Sequence, residues 1–373
     1  MLKILINAYA CSPDIGSEPG MAWNWVSHLA KYKNIQIMNN QRNHTIDIMR
    51  GIAIFLVVFG HVTHITELCT YIWGFHMPVF FFISGLLFRR EKFGSFGEFT
   101  KSRVKSLVLP YAIFYLVTFA YWVLIERNTF GADVSIESQL IGLVYGTFDM
   151  RYNMFNGVLW FLPCLFSMEM LYWFVSKCTK PIGVMAILIA CYAIGLCLTT
   201  YAPWLPWGLC AAFVGVVYYG IGDLCKPLVL SNRTNLNGGY YALNFVIIIL
   251  LILLQLAVLP WTSADMAWLW FGNIWLYIPI SLIGITLCWL VARVVRQYSV
   301  IEYLGINSLV IFGFHGPVYR AVIFVSSKLL GWQMEDVCNN VWLCLAIAVC
   351  SIIVILPFIF LWNKYVKPLL KRI

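Results

Sequence analysis

Charged residues are scarce in this chain. Only 11% of its 373 residues are Asp, Glu, Lys or Arg, whereas 61% are hydrophobic, and the mean hydropathy is +0.82. An average soluble protein carries about 25% charged residues. The composition therefore excludes an ordinary soluble domain and indicates a protein that spends most of its length inside a membrane.

Two further patterns are missing. The 12 cysteines are scattered, mostly within apolar stretches, and no pair has the spacing of a metal or redox site. No segment interleaves basic and aromatic residues in the way that nucleic-acid-binding proteins do. We therefore expect no metal, no nucleic-acid partner, and cysteines that serve as small core residues. No cleavable signal peptide is recognisable, and the first apolar stretch would itself direct membrane insertion.

What the chain does contain is a series of apolar stretches long enough to cross a bilayer. They predict an all-α, polytopic integral membrane bundle, and we number them as spans 1 to 10: 46–66, 70–88, 106–125, 157–176, 181–200, 205–224, 240–260, 269–292, 304–327 and 340–362. The boundaries are least distinct at 137–150 and 201–206. Tryptophans near several span ends, such as Trp204 and Trp261, are typical of an aromatic belt at the membrane surface.

The basic residues predict how this bundle is oriented. Ten spans place 21 of the 25 Lys and Arg on one side, and the other four are Arg127, Arg151, Arg320 and Lys328. Because short loops rich in Lys and Arg stay in the cytoplasm, both termini are predicted to be cytoplasmic. The net charge of +9 is thus a signal of topology.

The first 37 residues differ in kind from the rest. Residues 3–10 read as a buried strand, 11–20 as a glycine-rich turn and 21–33 as an amphipathic helix. Together they resemble the opening strand, loop and helix of a GT-B glycosyltransferase. One strand and one helix cannot bury a core alone. We therefore expect a non-functional fragment at 1–37, with Met38 as a natural start, followed by a transmembrane domain at 38–373.

Four ionisable residues share one face of span 1. Arg50 and His61 are about three helical turns apart, roughly 16 Å along the axis, and Asp47 and His64 fall in the same sector. Such groups are costly inside a membrane and usually face a cavity or a partner. The stripe therefore indicates a functional site. The alternative is an arginine that snorkels to the surface and a histidine that merely bonds to a neighbouring helix.

Five motifs in order make residues 43–365 resemble the membrane-bound acyltransferase family, acyltransferase type 3. They are Asp47–Ala53 followed by Phe59–His61, Phe75–Gly85, Arg103–Tyr111, Asn156–Pro163 and, more weakly, Phe314–Pro317. The chain departs from the family at Ser106, where a second arginine is frequent. It also departs at Leu159, where a histidine is frequent.

The resemblance implies a membrane O-acyltransferase. Such an enzyme would move an acyl group, expected to be acetyl, from cytoplasmic acyl-CoA to a hydroxyl of a cell-surface polysaccharide or its lipid-linked precursor. Acyl-CoA would be the donor substrate, the partners would be the lipid bilayer and the glycan, and the location would be a bacterial inner membrane. A homodimer is left open. The expected acceptor surface is 126–156, with Tyr145, Tyr152 and Asn156.

The predicted site has a catalytic part and a donor-binding part. A sugar hydroxyl is a poor nucleophile, so a neutral His61 is expected to act as general base; a His61 that itself carries the acyl group is the alternative. His76, the Trp160 indole and Asn156 are candidates for stabilising the oxyanion. The donor phosphates are expected at four cationic residues, Arg50, Arg103, Lys105 and Arg89. For Arg89 and Lys105, as for the neighbouring Arg90, the alternative is that they only enforce topology.

Other residues and other functions stay open at this point. His315 could belong to the site or bond to another helix, and Glu169 and Arg320 have no assigned role unless they pair. A transporter or flippase of a lipid-linked sugar would share the topology, although no inverted repeat is visible. A non-catalytic partner in polysaccharide synthesis would not need the stripe on span 1.

Overall fold

A computed structural model describes residues 43–230, 238–295 and 299–372, and the expected fragment at 1–37 lies outside them. The ten predicted spans are all present as helices: His44–Val62, Thr66–Leu87, Phe96–Glu126, Gly157–Val175, Pro181–Tyr201, Pro206–Leu224, Tyr241–Trp261, Ile274–Val294, Ser308–Leu330 and Val341–Arg372. The protein is 80% helical, and no strand occurs among the described residues. The polytopic helical bundle is thus confirmed, whereas the location of the termini stays a prediction.

Shorter helices connect some of the spans. Span 2 consists of two helices, Thr66–Trp73 and His76–Leu87, and the helix of span 7 begins at Gly238. The other connecting helices are Arg90–Lys92, Ile136–Tyr145, Lys226–Val229, Val300–Ile306 and Met334–Cys338. The segment 137–150 is therefore a helix followed by an irregular loop. At 201–206 the chain turns sharply, and Trp204 there has a φ of 69°.

Three span boundaries differ from the prediction for local reasons. Span 3 starts at Phe96, ten residues early, because the Ser95 hydroxyl accepts a hydrogen bond from the Glu98 N–H and caps the helix. Span 8 starts at Ile274, later than expected, because Asn273 caps it and the apolar residues before it form a turn. Span 10 continues as helix through its basic end to Arg372.

Glycines allow two central helices to pack closely and fix their relative position along the membrane normal. A Cβ on Gly51 of span 1 would lie 1.8 Å from the Ile301 carbonyl oxygen, and one on Gly305 would lie 1.7 Å from the Asp47 carbonyl oxygen. Backbones this close need small residues on both helices. The contact holds span 1 beside the short helix that leads into span 9. It therefore fixes the two spans at the same depth.

The spans divide into an inner and an outer set. About two thirds of spans 1, 2, 4 and 6 is buried within the protein, against 22% of span 5 and 11% of span 7. The exposed side chains of the outer spans are mostly Leu, Ile and Val, as a lipid-facing surface requires. Odd-numbered spans begin, and even-numbered spans end, on the side that carries most of the Lys and Arg, which we call the basic side.

Candidate active site between two cavities

Three histidines from three spans come together in the middle of the bundle. His61 is the second-last residue of span 1, His76 opens the second helix of span 2, and His315 lies in span 9. The rings of His61 and His315 have centroids 5.2 Å apart, and the helix that His76 opens packs against span 1. His76 and His315 are buried. The structure thus joins the predicted His61 and His76 to a histidine for which the sequence left two alternatives.

Backbone hydrogen bonds fix the ring state of two of these histidines. His315 Nδ1 is 2.8 Å from the carbonyl oxygen of Phe312, and His76 Nδ1 is 3.0 Å from that of Ile72. A carbonyl oxygen can only accept, so Nδ1 carries the hydrogen and Nε2 of the neutral ring holds a lone pair. Nε2 of His315 is buried and has no hydrogen-bond partner in the described part of the chain. It is a free base beside the ring of His61.

Asn156 packs against span 9 within one turn of His315. Its Nδ2 donates to Thr118 Oγ1 and to the Gly313 carbonyl, both at 3.1 Å. Its Oδ1 lies 2.8 Å from the place that a Cβ on Gly316 would occupy, so this position of span 9 needs glycine. Among the described residues this Oδ1 has no hydrogen-bond partner. Asn156 therefore presents an acceptor to the site, with its donors already engaged.

Trp160, the fourth predicted catalytic residue, is buried beneath the segment that joins spans 7 and 8. Its ring lines a cavity of only about 10 Å³ together with Met266 and Ala267. The indole N–H makes no hydrogen bond to the described part of the protein. It is therefore a donor that remains available.

An ion pair joins the end of span 3 to span 9, and its arginine also holds the loop before span 4. Arg320 Nε donates to Glu126 Oε1 at 2.7 Å, and its Nη2 donates to Oε2 at 3.0 Å and to the Phe155 carbonyl at 2.5 Å. The hypothesis that Arg320 pairs with Glu169 is wrong, because Glu169 lies 3.5 Å from Arg103 instead. A bidentate arginine–carboxylate pair restricts both partners. The pair therefore holds the loop that carries the polar side of the site.

A cavity of about 640 Å³ opens over His61 on the side opposite the basic side. We call it the tryptophan cavity, and it is lined by Trp73, Trp268, Trp270, Ser263, Asp265 and His61. Three threonines from residues 63–70 add hydroxyl groups, and no Lys or Arg of the described chain lines it. Flat apolar rings beside hydroxyl groups suit a sugar, whose ring faces carry C–H groups and whose edge carries hydroxyls.

The turn at 262–273 forms one wall of the tryptophan cavity. Asp265 and Trp270 pair as an isolated antiparallel bridge, with N–O distances of 2.6 and 2.9 Å. Leu269 and Gly272 have φ angles of 55° and 50°, which reverse the chain. Burial raises the pKa of Asp265, although the backbone N–H groups of the second and third residues after it favour the carboxylate. The turn thus fixes Trp268 and Trp270 on the same rim.

A second cavity, of about 610 Å³, opens on the basic side. We call it the lysine cavity, and its lining includes Lys101, Lys105, Lys367, Lys371 and, at its inner end, Pro110 and Val310. Val310 precedes His315 by five residues of span 9, about 7.5 Å along the helix axis. The two cavities therefore approach the histidines from opposite sides of the protein.

Three aromatic rings separate the lysine cavity from the histidines. Phe114, one turn beyond Pro110, stacks on Trp362 at 4.7 Å between centroids and meets Phe314 edge-on at 5.3 Å. A Cβ on Gly313 would lie 2.5 Å from the Phe114 ring, so this ring fits only against glycine. We call Phe114, Phe314 and Trp362 the aromatic layer. Its rings are buried and close the inner end of the cavity.

The four residues predicted to bind phosphate do not form one group. Lys105 lines the lysine cavity, and the other three are not part of its lining. Arg50 and Arg103 lie 3.6 and 3.5 Å from buried carboxylates, and Arg89 is exposed at the end of span 2. Of the four residues predicted to bind the donor, only Lys105 therefore lies at the lysine cavity.

The expected acceptor surface at 126–156 is largely engaged in packing. The Tyr145 hydroxyl donates to the Trp204 carbonyl at 2.6 Å, and its ring lies 5.3 Å from that of Tyr152. The cavity that reaches His61 is lined instead by the turn at 262–273, for which the sequence offered no motif.

The chain is an integral membrane protein with a buried polar centre between two cavities, and no group of three or more potential metal ligands occurs in residues 43–230, 238–295 and 299–372. A family model for the acyltransferase domain, type 3, matches residues 43–362. The chain therefore belongs to the acyltransferase type 3 family and is a membrane acyltransferase, which confirms the resemblance of its motifs. No curated protein and no solved structure matches the chain significantly.

Proposed function

We propose that the protein is an O-acyltransferase that moves an acyl group, expected to be acetyl, from acyl-CoA to a hydroxyl of a cell-surface polysaccharide or its lipid-linked precursor. One observation carries the proposal: the His61–His315 pair lies between the tryptophan cavity and the inner end of the lysine cavity. Two substrates of different character can then approach one base from opposite sides. If the basic side faces the cytoplasm, the donor enters from the cytoplasm of a bacterium and the acceptor enters from the opposite side of the inner membrane.

His61 is the proposed general base. It removes the proton of the acceptor hydroxyl while the oxygen bonds to the thioester carbonyl carbon. The tetrahedral intermediate then expels the CoA thiolate, and protonated His61 returns the proton to the sulfur, which leaves the ester and free CoA. His315 supports this role because its unpartnered Nε2 can accept a hydrogen bond from protonated His61.

The hydrogen bonds favour Trp160 as a donor to the oxyanion. The N–H groups of Asn156 are both engaged, and the Nδ1 hydrogen of His76 is committed to a carbonyl oxygen. The indole N–H of Trp160 is free of such bonds within the described residues. A donor aimed at a developing oxyanion in a water-poor site typically contributes about 10²–10³-fold to the rate.

The alternative, in which His61 carries the acyl group, predicts a different intermediate. Attack of its ring nitrogen on the thioester would give an acyl-imidazole and free CoA before any acceptor binds. Rapid mixing with acetyl-CoA alone distinguishes the two through the release of CoA, because an acyl-imidazole is too labile to survive an acid quench. A burst of CoA equal to the amount of protein favours the nucleophile, whereas no burst without acceptor favours the general base.

The aromatic layer requires a conformational step in this proposal. The acyl arm of the donor must pass Phe114 to reach His61 from the lysine cavity. Such gating motions are common in enzymes that protect a reaction from water. The layer would close behind the acyl group and keep water from the thioester.

The decisive experiment uses purified protein in detergent with labelled acetyl-CoA and a panel of neutral and acidic glycans. Release of CoA together with label on a glycan supports the proposal. Thioester that stays intact with every acceptor would contradict it. The runner-up function, a flippase, is tested in proteoliposomes: movement of a fluorescent lipid-linked sugar without any acyl donor would favour transport over transfer.

A further inference from the structure

Four lysines face one cavity from two ends of the chain. Lys101 and Lys105 lie at the start of span 3, and Lys367 and Lys371 lie at the end of span 10. Each pair is spaced by four residues, so its members lie on one side of their helix. Residues more than 260 positions apart thus place four positive charges around the same space.

These lysines differ from Arg50, Arg103 and Lys226 because they have no carboxylate partner. None of the four makes an ion pair or a hydrogen bond within the described residues. Arg50 and Arg103 lie beside carboxylates, and Lys226 is bonded to Asp223. A cation that already faces a carboxylate offers little net charge to an anionic ligand. The lysine cavity therefore holds the uncompensated charge.

The one acidic residue in the lining, Glu98, offsets only one of the four positive charges. A carboxylate oxygen of Glu98 accepts a hydrogen bond from the Gly94 N–H at 2.9 Å, which ties it to the turn before span 3. Ser102 and Ser106 add hydroxyl groups to the wall. Lysine ammonium and hydroxyl groups around a cavity are typical of a site for phosphate groups.

We propose that Lys101, Lys105, Lys367 and Lys371 bind the phosphates of a nucleotide-type ligand in the lysine cavity. The proposal rests on the proposed function only in taking this ligand to be the acyl-CoA donor. The volume of about 610 Å³ is in the range of small-molecule sites and exceeds the need of one phosphate. The cavity also extends inward to Pro110 and Val310, where the arm of such a donor would continue towards His315. An anionic lipid headgroup shares the phosphate chemistry and is the other source.

The test measures binding and needs no turnover. Isothermal titration in nanodiscs of zwitterionic lipid gives the Kd of CoA and of adenosine 3′,5′-bisphosphate. We expect each single Lys→Gln variant to weaken CoA binding about two- to fivefold, and the combined variant to weaken it on the order of 100-fold. The matched control changes four lysines to Gln, which removes four charges from the same side outside the lining: Lys92, Lys177, Lys180 and Lys364. It should bind like the wild type.

Two arms distinguish the sources of phosphate. In one, nanodiscs contain phosphatidylglycerol; in the other, only phosphatidylcholine. CoA binding that depends on the four lysines in both kinds of nanodisc supports the proposal. Loss of phosphatidylglycerol retention in the combined variant, with CoA affinity unchanged, would overturn it and make the lysines a lipid site. CoA affinity unchanged together with unchanged lipid retention would also overturn it.

The outcome can be separated from the proposed function and from misfolding. If the wild type transfers acetyl groups and the combined variant binds CoA as tightly as the wild type, the lysine site is refuted and the transfer reaction is not. A wild type that binds CoA through the lysines but transfers nothing would refute the transfer reaction alone. The exposed Lys371→Gln variant, changed only in the last helical turn, keeps the test valid if the combined variant does not fold.

Discussion

The lysine cavity and the tryptophan cavity have similar volumes, about 610 and 640 Å³, and opposite chemistry. The first is lined by four unpaired lysines, and the second by three tryptophans, several hydroxyl groups and no Lys or Arg of the described chain. The tryptophan cavity reaches His61, and the lysine cavity ends at Val310, five residues before His315 on span 9. The charge asymmetry that orients a membrane protein in the bilayer can also give its two cavities different ligand preferences. Here we infer that it also decides which substrate enters from which side.

The largest effect is expected where the two cavities meet. His61→Ala should lower acyl transfer by about 10²–10⁴-fold, the usual loss on removal of a general base, without altering the Kd of CoA. The measurement is the initial rate of CoA release with saturating donor and acceptor. Glu67→Ala is the control, because Glu67 is exposed in the first helix of span 2 and does not line the cavity. A His61 variant within about threefold of the wild-type rate would remove His61 from the mechanism.

His315 allows a finer test of the same centre. An asparagine there can keep the hydrogen bond from Nδ1 to the Phe312 carbonyl but has nothing in place of Nε2, whereas a glutamine places a polar atom near Nε2. We expect His315→Asn to lower kcat about 10²-fold and His315→Gln to lower it less. Equal losses in both variants, or a loss of thermal stability in step with activity, would make His315 a packing residue.

Trp270→Ala should affect the binding of the acceptor and leave the binding of the donor unchanged. Removal of one stacking ring is expected to raise the KM of the acceptor about tenfold, while the KM of acyl-CoA stays the same. Steady-state kinetics with one substrate varied at a time measures both constants. Trp261→Ala is the matched control, since Trp261 is exposed at the end of span 7 and does not line the cavity. A rise in the KM of the donor would reverse our assignment of the two cavities.

Added salt should weaken the binding of acyl-CoA in the lysine cavity and leave the binding of a neutral acceptor in the tryptophan cavity unchanged. Between 0.1 and 1 M salt the screening length falls from about 10 to about 3 Å, so the KM of acyl-CoA should rise about fivefold. The KM of a neutral acceptor should stay constant, because the tryptophan cavity has no Lys or Arg in its described lining. Parallel changes in both constants would mean that salt acts on the whole protein.

The smallest effect is expected at Asp265. An asparagine keeps the oxygen that accepts the backbone hydrogen bonds of the turn, so Asp265→Asn should change turnover less than about threefold. Because folding raises the pKa of this carboxyl, the wild type loses stability as the pH rises through that raised pKa, and the variant does not. Thermal unfolding of both proteins from acid to neutral pH measures this. An unchanged difference between their Tm values across that range would contradict the raised pKa.

The sequence was sufficient for the ten spans because each is a local pattern. Hydropathy over about 20 residues decides whether a helix can cross a membrane, and no distant contact is needed. Span 8 shows the limit: the apolar residues before Ile274 look like more span, yet Asp265 pairs with Trp270 and turns the chain. A side-chain cap and a bridge of this kind leave little trace in hydropathy.

The sequence could predict only the site residues that lie on one helix, because their spacing along the chain fixes their relative positions. The spacing of Arg50 and His61 identified span 1, but the partner of Arg103 depends on span 4 reaching Glu169. Lys367 and Lys371 could not be distinguished from residues that set topology, because only the fold brings them to Lys101. The motif Phe314–Pro317 was the one available signal for His315. Only the contact between the rings of His315 and His61 shows that this motif belongs to the site.

The aromatic layer has a consequence for the cell's ion gradients. Two open cavities that met end to end would form a pore, and a pore through an energised membrane would dissipate its electrochemical potential. Phe114, Phe314 and Trp362 pack ring against ring between the inner end of the lysine cavity and the histidines, and hydrophobic constrictions of this kind block hydrated ions. The protein can therefore have inlets on both faces of the bilayer and still act as an electrical insulator.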